Sequence, residues 1–160
     1  MWTHGPRLPA VELPPENSVV TFASLLPTQT IPSQRRVQIR LANGGGIHAA
    51  RCIVSGDFLE LVRLGVRSSS DPLVVDSVAL LDAVLKRELP EGVCWRRYNF
   101  DGYGQKPDGH AFDGTGEGRV WPLLSGDRGH YELSAGRDPM PFISSIERFP
   151  NAGGLLPEQL

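Results

Sequence analysis

Three proline-containing steps constrain the chain most, because each marks a place where a helix can begin. They are Asp71-Pro72, Trp121-Pro122 and Asp138-Pro139. An aspartate just before a helix accepts hydrogen bonds from its first free N–H groups, and proline is tolerated there because no donor is needed. We therefore predict helices from all three steps, over 72–89, from 121 to about 136, and from 138 to about 150. The first places these apolar residues on one face: Val74, Val75, Val78, Leu81, Val84 and Leu85.

An additional helix is predicted over 47–66, where apolar residues recur at helical spacing and Gly65 closes the pattern. The chain then reads as helix, helix, long loop, helix, helix. Stacked helical hairpins with one loop-rich face are typical of an α/α toroid or an α-solenoid. The predicted fold class is mainly α, and four helices would form only a sector of a closed toroid.

The first 46 residues differ from the rest. They carry six prolines and end in three consecutive glycines, so no long helix fits there. Residues 19–26 and 35–42 could form short strands, the second because its apolar residues alternate. We predict an irregular, partly disordered segment over 1–46 and one folded domain over 47–160, which the resemblance described below identifies as part of a catalytic domain.

Residues 88–121 are predicted to form one long loop, with six glycines between 102 and 118. Loops of this length in compact domains are usually functional or disordered, and this one is rich in aromatic residues, arginine and aspartate. The stretch WRRYNFDGYG (95–104) suits sugar binding, because aromatic rings stack on sugars and Arg or Asp binds vicinal hydroxyls. A purely structural reading stays open: core aromatics and an Arg97–Asp101 ion pair.

Two further stretches combine polar groups. Along 118–136, Asp127, Arg128 and Glu132 suggest a salt-bridged helix that borders a pocket, and a Ser125–His130–Asp127 triad lacks the turn that such a nucleophile needs. In GGLLPEQL (153–160), Leu155 and Leu156 are expected to anchor the segment and leave a glutamate projecting.

Composition excludes several functions. The formal net charge of −2 gives no basic surface for nucleic acid or an anionic membrane. No apolar run reaches the ~20 residues of a membrane-spanning helix, and the N-terminus does not resemble a signal peptide. Cytoplasmic is therefore the default location, although a full-length protein could be exported. Cys52 and Cys94 lack metal-ligand spacing, so we expect neither a metal site nor a cofactor.

Several of these stretches together resemble glycoside hydrolase family 15, the glucoamylases and glucodextranases, and in particular its bacterial members. The matching sequence segments are FLELVRLGVR (58–67), DAVLK (82–86), WRRYNFDGYG (95–104), GEGRVWPLLSGDRGHYELSAG (116–136) and GGLLPEQ (153–159). The resemblance covers roughly 39–160, and residues 1–38 match nothing recognisable. Phe100 stands where bacterial relatives often have His, and Asp127 where Glu is usual.

The resemblance implies an (α/α)6 barrel that removes glucose from non-reducing ends of α-glucans with inversion. It assigns the general base to Glu158, in the Pro-Glu-Gln motif. Arg97 and Asp101 would bind the terminal glucose, Trp121 would line the same pocket, and Trp95 would lie beside it. Inversion also needs a carboxylic acid on the opposite face of the sugar, roughly 6.5–9.5 Å from the base.

In this family the general acid lies well upstream, on a stretch that the chain does not show. We therefore expect a fragment of an inverting exo-acting α-glucosidase, inactive alone and prone to self-association through apolar helix faces that neighbouring hairpins would cover. The alternative is a non-catalytic carbohydrate-binding or assembly module derived from the same fold.

Overall fold

The computed structural model of the protein describes residues 37–160, so the strand predicted over 19–26 lies outside the described residues. Helices and strands both occur in this part of the chain, and the mainly α prediction is correct only in part. The helices are α1 Leu59–Arg63, α2 Pro72–Leu85, α3 Pro122–Ser134 and α4 Met140–Arg148, with a 3-10 turn at Ala50–Cys52. The strands are β1 Gln38–Leu41, β2 Gly46–Ala49, β3 Lys86–Leu89, β4 Gly92–Arg96 and β5 Val120–Trp121.

All three proline steps start helices, as predicted. The Asp71 carboxylate accepts a hydrogen bond from the Leu73 amide at 2.9 Å, and Asp138 accepts one from the Met140 amide at the same distance. The third helix begins at Pro122 directly after β5. On α2 the buried face is as predicted except at Val75, which is 47% exposed.

The helix predicted over 47–66 is wrong for most of its length. Residues 38–49 form an antiparallel hairpin in which Ile39 pairs with His48. Its turn contains Asn43 and Gly44, both with positive φ, a backbone conformation that glycine and asparagine tolerate best. Only Leu59–Arg63 is α-helical, and the domain boundary predicted at residue 46 falls inside the hairpin.

The loop predicted over 88–121 is also wrong at both ends. The second helix stops at Leu85, and β3, β4 and β5 form a three-stranded antiparallel sheet in that order. Leu89 pairs with Gly92 across a two-residue turn. A Cβ atom at Gly92 would lie 2.2 Å from the Ser145 hydroxyl, so the close approach of β4 to α4 requires glycine. The remaining loop, residues 97–119, is called the pocket loop below.

The helices pack on one another and on β4 around the main core. Its buried members are Val54, Phe58, Leu59, Val62, Val74, Val78, Leu81, Leu85, Trp95 and Tyr131. A smaller cluster joins Cys94, Val120 and Phe149 to the partly buried Leu89 and Leu160. Both cysteines are free. Within residues 37–160, no helix combines the length and apolar character needed to span a bilayer.

Candidate functional site

The pocket loop begins with a two-pronged ion pair between Arg97 and Asp101. Arg97 Nε donates to Asp101 Oδ2 and Nη2 to Oδ1, each at 2.8 Å. The Asp101 side chain is 1% exposed, whereas 29% of the Arg97 side chain is exposed. This pair raises the pKa of Arg97 above its ordinary value, mainly through the hydrogen bond that Arg97 donates to Asp101. The ion pair predicted in the structural reading is therefore present.

Aromatic rings surround the Arg97 guanidinium. Its central carbon lies 4.7 Å from the Trp121 ring centroid, 5.1 Å from Tyr103 and 5.3 Å from Tyr98. These distances are within the ~6 Å range of cation–π attraction. Burial, followed by the nearby Asp101 carboxylate, raises the pKa of Tyr98. The predicted residues Arg97, Asp101 and Trp121 thus come together, with two tyrosines added to them.

The backbone of the pocket loop is fixed around Asp101. The Tyr103 amide donates to Asp101 Oδ1 at 2.9 Å, and the Gly118 amide donates to the Asp101 carbonyl at 2.7 Å. The β1–β2 hairpin supports the same loop, because His48 stacks on Phe100 with ring centroids 3.8 Å apart. A Cβ atom at Gly102 would lie 1.9 Å from the Asn43 carbonyl oxygen. Hairpin and loop therefore approach more closely than any larger residue permits.

The guanidinium keeps donors for a ligand. Arginine has five N–H groups, and the contacts with Asp101 use Nε and Nη2. Within residues 37–160, no side-chain hydrogen bond engages Arg97 Nη1, and the buried Nε1 of Trp121 has no acceptor. Both carboxylate oxygens of Asp101 accept hydrogen bonds from Arg97, and Oδ1 also accepts one from the Tyr103 amide. The arrangement therefore presents a fixed cation beside aromatic rings, which suits an uncharged polyhydroxylated ligand.

Trp95 occupies a different environment. Its side chain belongs to the main core at 2% exposure, its Nε1 donates to Asp82 Oδ1 at 2.9 Å, and its ring packs near Phe142. This is the core aromatic of the structural reading. The structure does not bring Trp95 into the ring cluster around Arg97.

The terminal segment runs beside the pocket loop. The Leu160 amide donates to the Val120 carbonyl at 3.0 Å, next to Trp121, and Leu160 packs on the smaller core cluster. Glu158 is exposed, and its side chain forms no ion pair within the described part of the chain. The predicted anchors are wrong, because Leu155 and Leu156 are 70% and 49% exposed. Leu160 is the anchor instead.

The predicted salt-bridged helix is confirmed for Arg128 and Glu132, which pair on α3. Asp127 stands apart: burial raises its pKa, and the neighbouring Glu60 carboxylate adds to the effect. The Ser125 hydroxyl donates to the Val93 carbonyl at 2.8 Å and is fully buried, so it is not an exposed nucleophile. Residues 37–160 contain no cluster of three or more His, Cys, Asp or Glu side chains that could hold a metal ion.

The structural reading of 95–104 took Tyr98 and Tyr103 as core aromatics, and the sugar-binding reading took the aromatic rings of this stretch as a stacking surface; the structure places both tyrosine rings beside Arg97. The available signal was the glycine on each side of Tyr103. Gly104 has a positive φ, and a Cβ atom there would lie 2.2 Å from the Glu117 carbonyl oxygen. Such a backbone turn directs Tyr103 toward Arg97 rather than into the helical core.

Comparisons with known proteins give one consistent result. No family model matches the chain. A glucoamylase from Clostridium sp. (strain G0005) is 46% identical over 122 residues, which are 76% of this chain and 17% of that enzyme. A crystal structure of bacterial glucoamylase complexed with acarbose matches with a TM-score of 0.76 and 45% identity, covering 78% of this chain and 18% of the other. The chain thus spans about a sixth of the length of these relatives. It is a partial, glucoamylase-like domain of glycoside hydrolase family 15.

Proposed function

We propose that the chain contributes the glucosyl-binding side of a glucoamylase-type active site, acting on terminal α-glucosyl residues of α-glucans. The observation that carries this proposal is the Arg97–Asp101 pair under the Trp121 ring, in a chain 46% identical to a glucoamylase. The free N–H groups of Arg97 would donate to the hydroxyls of the terminal sugar. Asp101 would act through Arg97, because its own oxygens are already occupied.

Glu158 is proposed as the general base of an inverting reaction. A general base must reach the attacking water, and the Glu158 side chain is exposed to solvent. The anchoring of Leu160 on Val120 holds this segment beside β5, whose last residue is Trp121. From there Glu158 would activate a water molecule for attack on the sugar that Arg97 and Trp121 are proposed to bind.

The general acid is proposed to lie outside this chain, as the resemblance to family 15 implies, because Asp101, the carboxylate paired with Arg97, is buried and held in that ion pair. The four helices would then be a sector of an (α/α)6 toroid. Large apolar side chains such as Leu64, Val66, Leu123 and Leu133 are more than 60% exposed, and exposed apolar groups favour association. We propose that these helix faces cause self-association of the isolated chain.

The proposal predicts binding without turnover. Loss of the general acid alone slows glycoside hydrolysis by about 10²–10⁴-fold, so glucose release from maltose, isomaltose or dextrin should stay below detection in a coupled assay. Acarbose, present in the crystal structure of the bacterial glucoamylase, should still bind in a calorimetric titration. Turnover at ordinary enzyme rates would contradict the fragment proposal. Tight binding of α-glucans without any effect of Glu158→Gln would instead favour the carbohydrate-binding module.

A further inference from the structure

A cavity lies on the β3–β4–β5 sheet, apart from the Arg97 cluster. It has a volume of about 200 Å³ and is lined by three arginines, Arg87, Arg96 and Arg119, together with Glu88, Glu117 and Leu160 among others. Neither Arg97 nor Asp101 nor Trp121 lines it. We call it the arginine groove.

The strand register explains why two of these cations share one side of the sheet. Arg87 pairs with Cys94 across β3 and β4, and Arg96 pairs with Val120 across β4 and β5. Residues directly opposite one another, and residues two apart on a strand, point to the same face. Arg87 and Arg96 therefore lie on one face of the sheet. Arg119 directly precedes β5 and also lines the groove.

The positive charge of the arginine groove is only partly balanced. Glu88 is engaged by Lys86 at 3.1 Å, which leaves Glu117, paired with Arg96 at 3.0 Å, as the other carboxylate that lines the groove. Arg119 donates to the neutral Gln105 amide oxygen at 3.3 Å. Three guanidinium groups thus line the groove together with two side-chain carboxylates, and of these two only Glu117 pairs with one of the three arginines.

Two arginines also retain unused donor capacity. Arg87 donates to the main-chain oxygens of Val84 and Lys86, both neutral. Arg96 Nε is buried and has no acceptor within residues 37–160, which is costly unless a ligand supplies one. Burial, and secondly repulsion from Arg96, lowers the pKa of Arg87. An anion in the groove would relieve both the repulsion and the unmet donor.

We propose that the arginine groove binds a small oxyanion, a phosphate or carboxylate group, held by Arg87, Arg96 and Arg119. The planar guanidinium fork matches the geometry of two oxygens on one phosphorus or carbon atom. The site is separate from the proposed glucosyl-binding residues, so its occupation does not depend on the proposed activity. A free phosphate and the carboxylate of an acidic side chain share this chemistry, and the test separates them.

Equilibrium dialysis of the full chain against labelled inorganic phosphate tests the site, with acetate as the carboxylate probe and chloride at matched ionic strength. Equilibrium dialysis measures the amount of bound anion even when the protein self-associates. We expect one phosphate or acetate bound per chain. Each of Arg96→Gln and Arg119→Gln should weaken it about tenfold, the loss of one charge-assisted hydrogen bond at about 1.4 kcal/mol.

Arg40→Gln provides the matched control, because it removes the same charge from an exposed position on β1 outside the groove. Circular dichroism confirms that each variant keeps the fold of the parent. Tighter binding of phosphate than of acetate would assign the site to phosphoryl ligands, and the reverse order would assign it to carboxylates. Absence of binding by both probes, or an equal loss in Arg40→Gln, would overturn the proposal.

Discussion

Replacing Arg128 by alanine is expected to destabilise the chain by about 3–5 kcal/mol, the range for breaking a buried ion pair on one side. The Arg128 side chain is 9% exposed and pairs with Asp82 at 2.8 Å and with Glu132. The Glu132 side chain is only 10% exposed, so the substitution leaves this buried carboxylate with the exposed Arg137 as its remaining cation and removes the partner of Asp82. The arginine also packs against the Trp95, Tyr131 and Phe142 rings.

Arg137→Ala is the matched control for this prediction. Arg137 pairs with the same Glu132, but its side chain is 53% exposed, and exposed ion pairs contribute only about 0–1 kcal/mol. Urea unfolding followed by circular dichroism measures both variants. Equal losses of unfolding free energy in the two variants would contradict the assignment of Arg128 as the central cation of the core.

Replacing Arg97 by glutamine is expected to weaken acarbose binding about 100-fold. Two charge-assisted hydrogen bonds to sugar hydroxyls, at about 1.4 kcal/mol each, account for this factor. Glutamine cannot reproduce the guanidinium fork that Asp101 holds in place. Calorimetric titration measures the affinity of the variant against the parent chain.

Arg97→Lys separates binding from folding in this experiment. Lysine keeps a cation for the buried Asp101 carboxylate but lacks the planar fork, so the fold should persist while acarbose affinity falls. Arg40→Gln, on the exposed β1 strand, should leave the affinity unchanged. Unaltered affinity in both Arg97 variants would remove Arg97 from the proposed site.

The helix starts could be predicted from sequence because each depends on a few adjacent residues. Asp71 and Asp138 cap their helices through their own side chains, and proline is compatible with the first turn regardless of what packs on it. Such local rules do not depend on the rest of the fold. They were therefore correct without any knowledge of tertiary structure.

The strands could not be predicted in the same way. Lys86 and Arg87 suit the last turn of a helix because basic side chains are favoured there, yet Lys86–Leu89 pairs with β4, and only the tertiary partner decides between helix and strand. The apolar pattern over 47–66 led to a wrong helix prediction for a related reason. Val54, Phe58 and Val62 are buried at helical spacing, although the α-helix begins only at Leu59 and a hairpin occupies 38–49.

In the candidate site, too, contacts between neighbouring residues could be predicted and contacts that depend on tertiary packing could not. The spacing of Arg97 and Asp101 allowed their ion pair to be predicted, because four residues suffice for the side chains to meet in a tight loop. Trp95 is two residues from Arg97 in the same aromatic stretch and was therefore expected beside it. Its hydrogen bond to Asp82 depends instead on how α2 packs on β4, which the local sequence does not show. The anchor of the terminal segment, Leu160, likewise depends on a cluster assembled from distant residues.

The turnover number of a hybrid enzyme tests the central claim most directly. In this hybrid, the 122 matched residues of the Clostridium glucoamylase are replaced by those of the present chain, so the rest of that enzyme supplies the groups proposed to lie outside this chain. Glu158→Gln should lower kcat for maltose by about 10²–10⁴-fold with little change in KM, because only the activation of water is lost. Glu147→Gln, at an exposed position on α4, should leave the rate unchanged. A Glu158→Gln hybrid that hydrolyses maltose as fast as its parent would contradict the account.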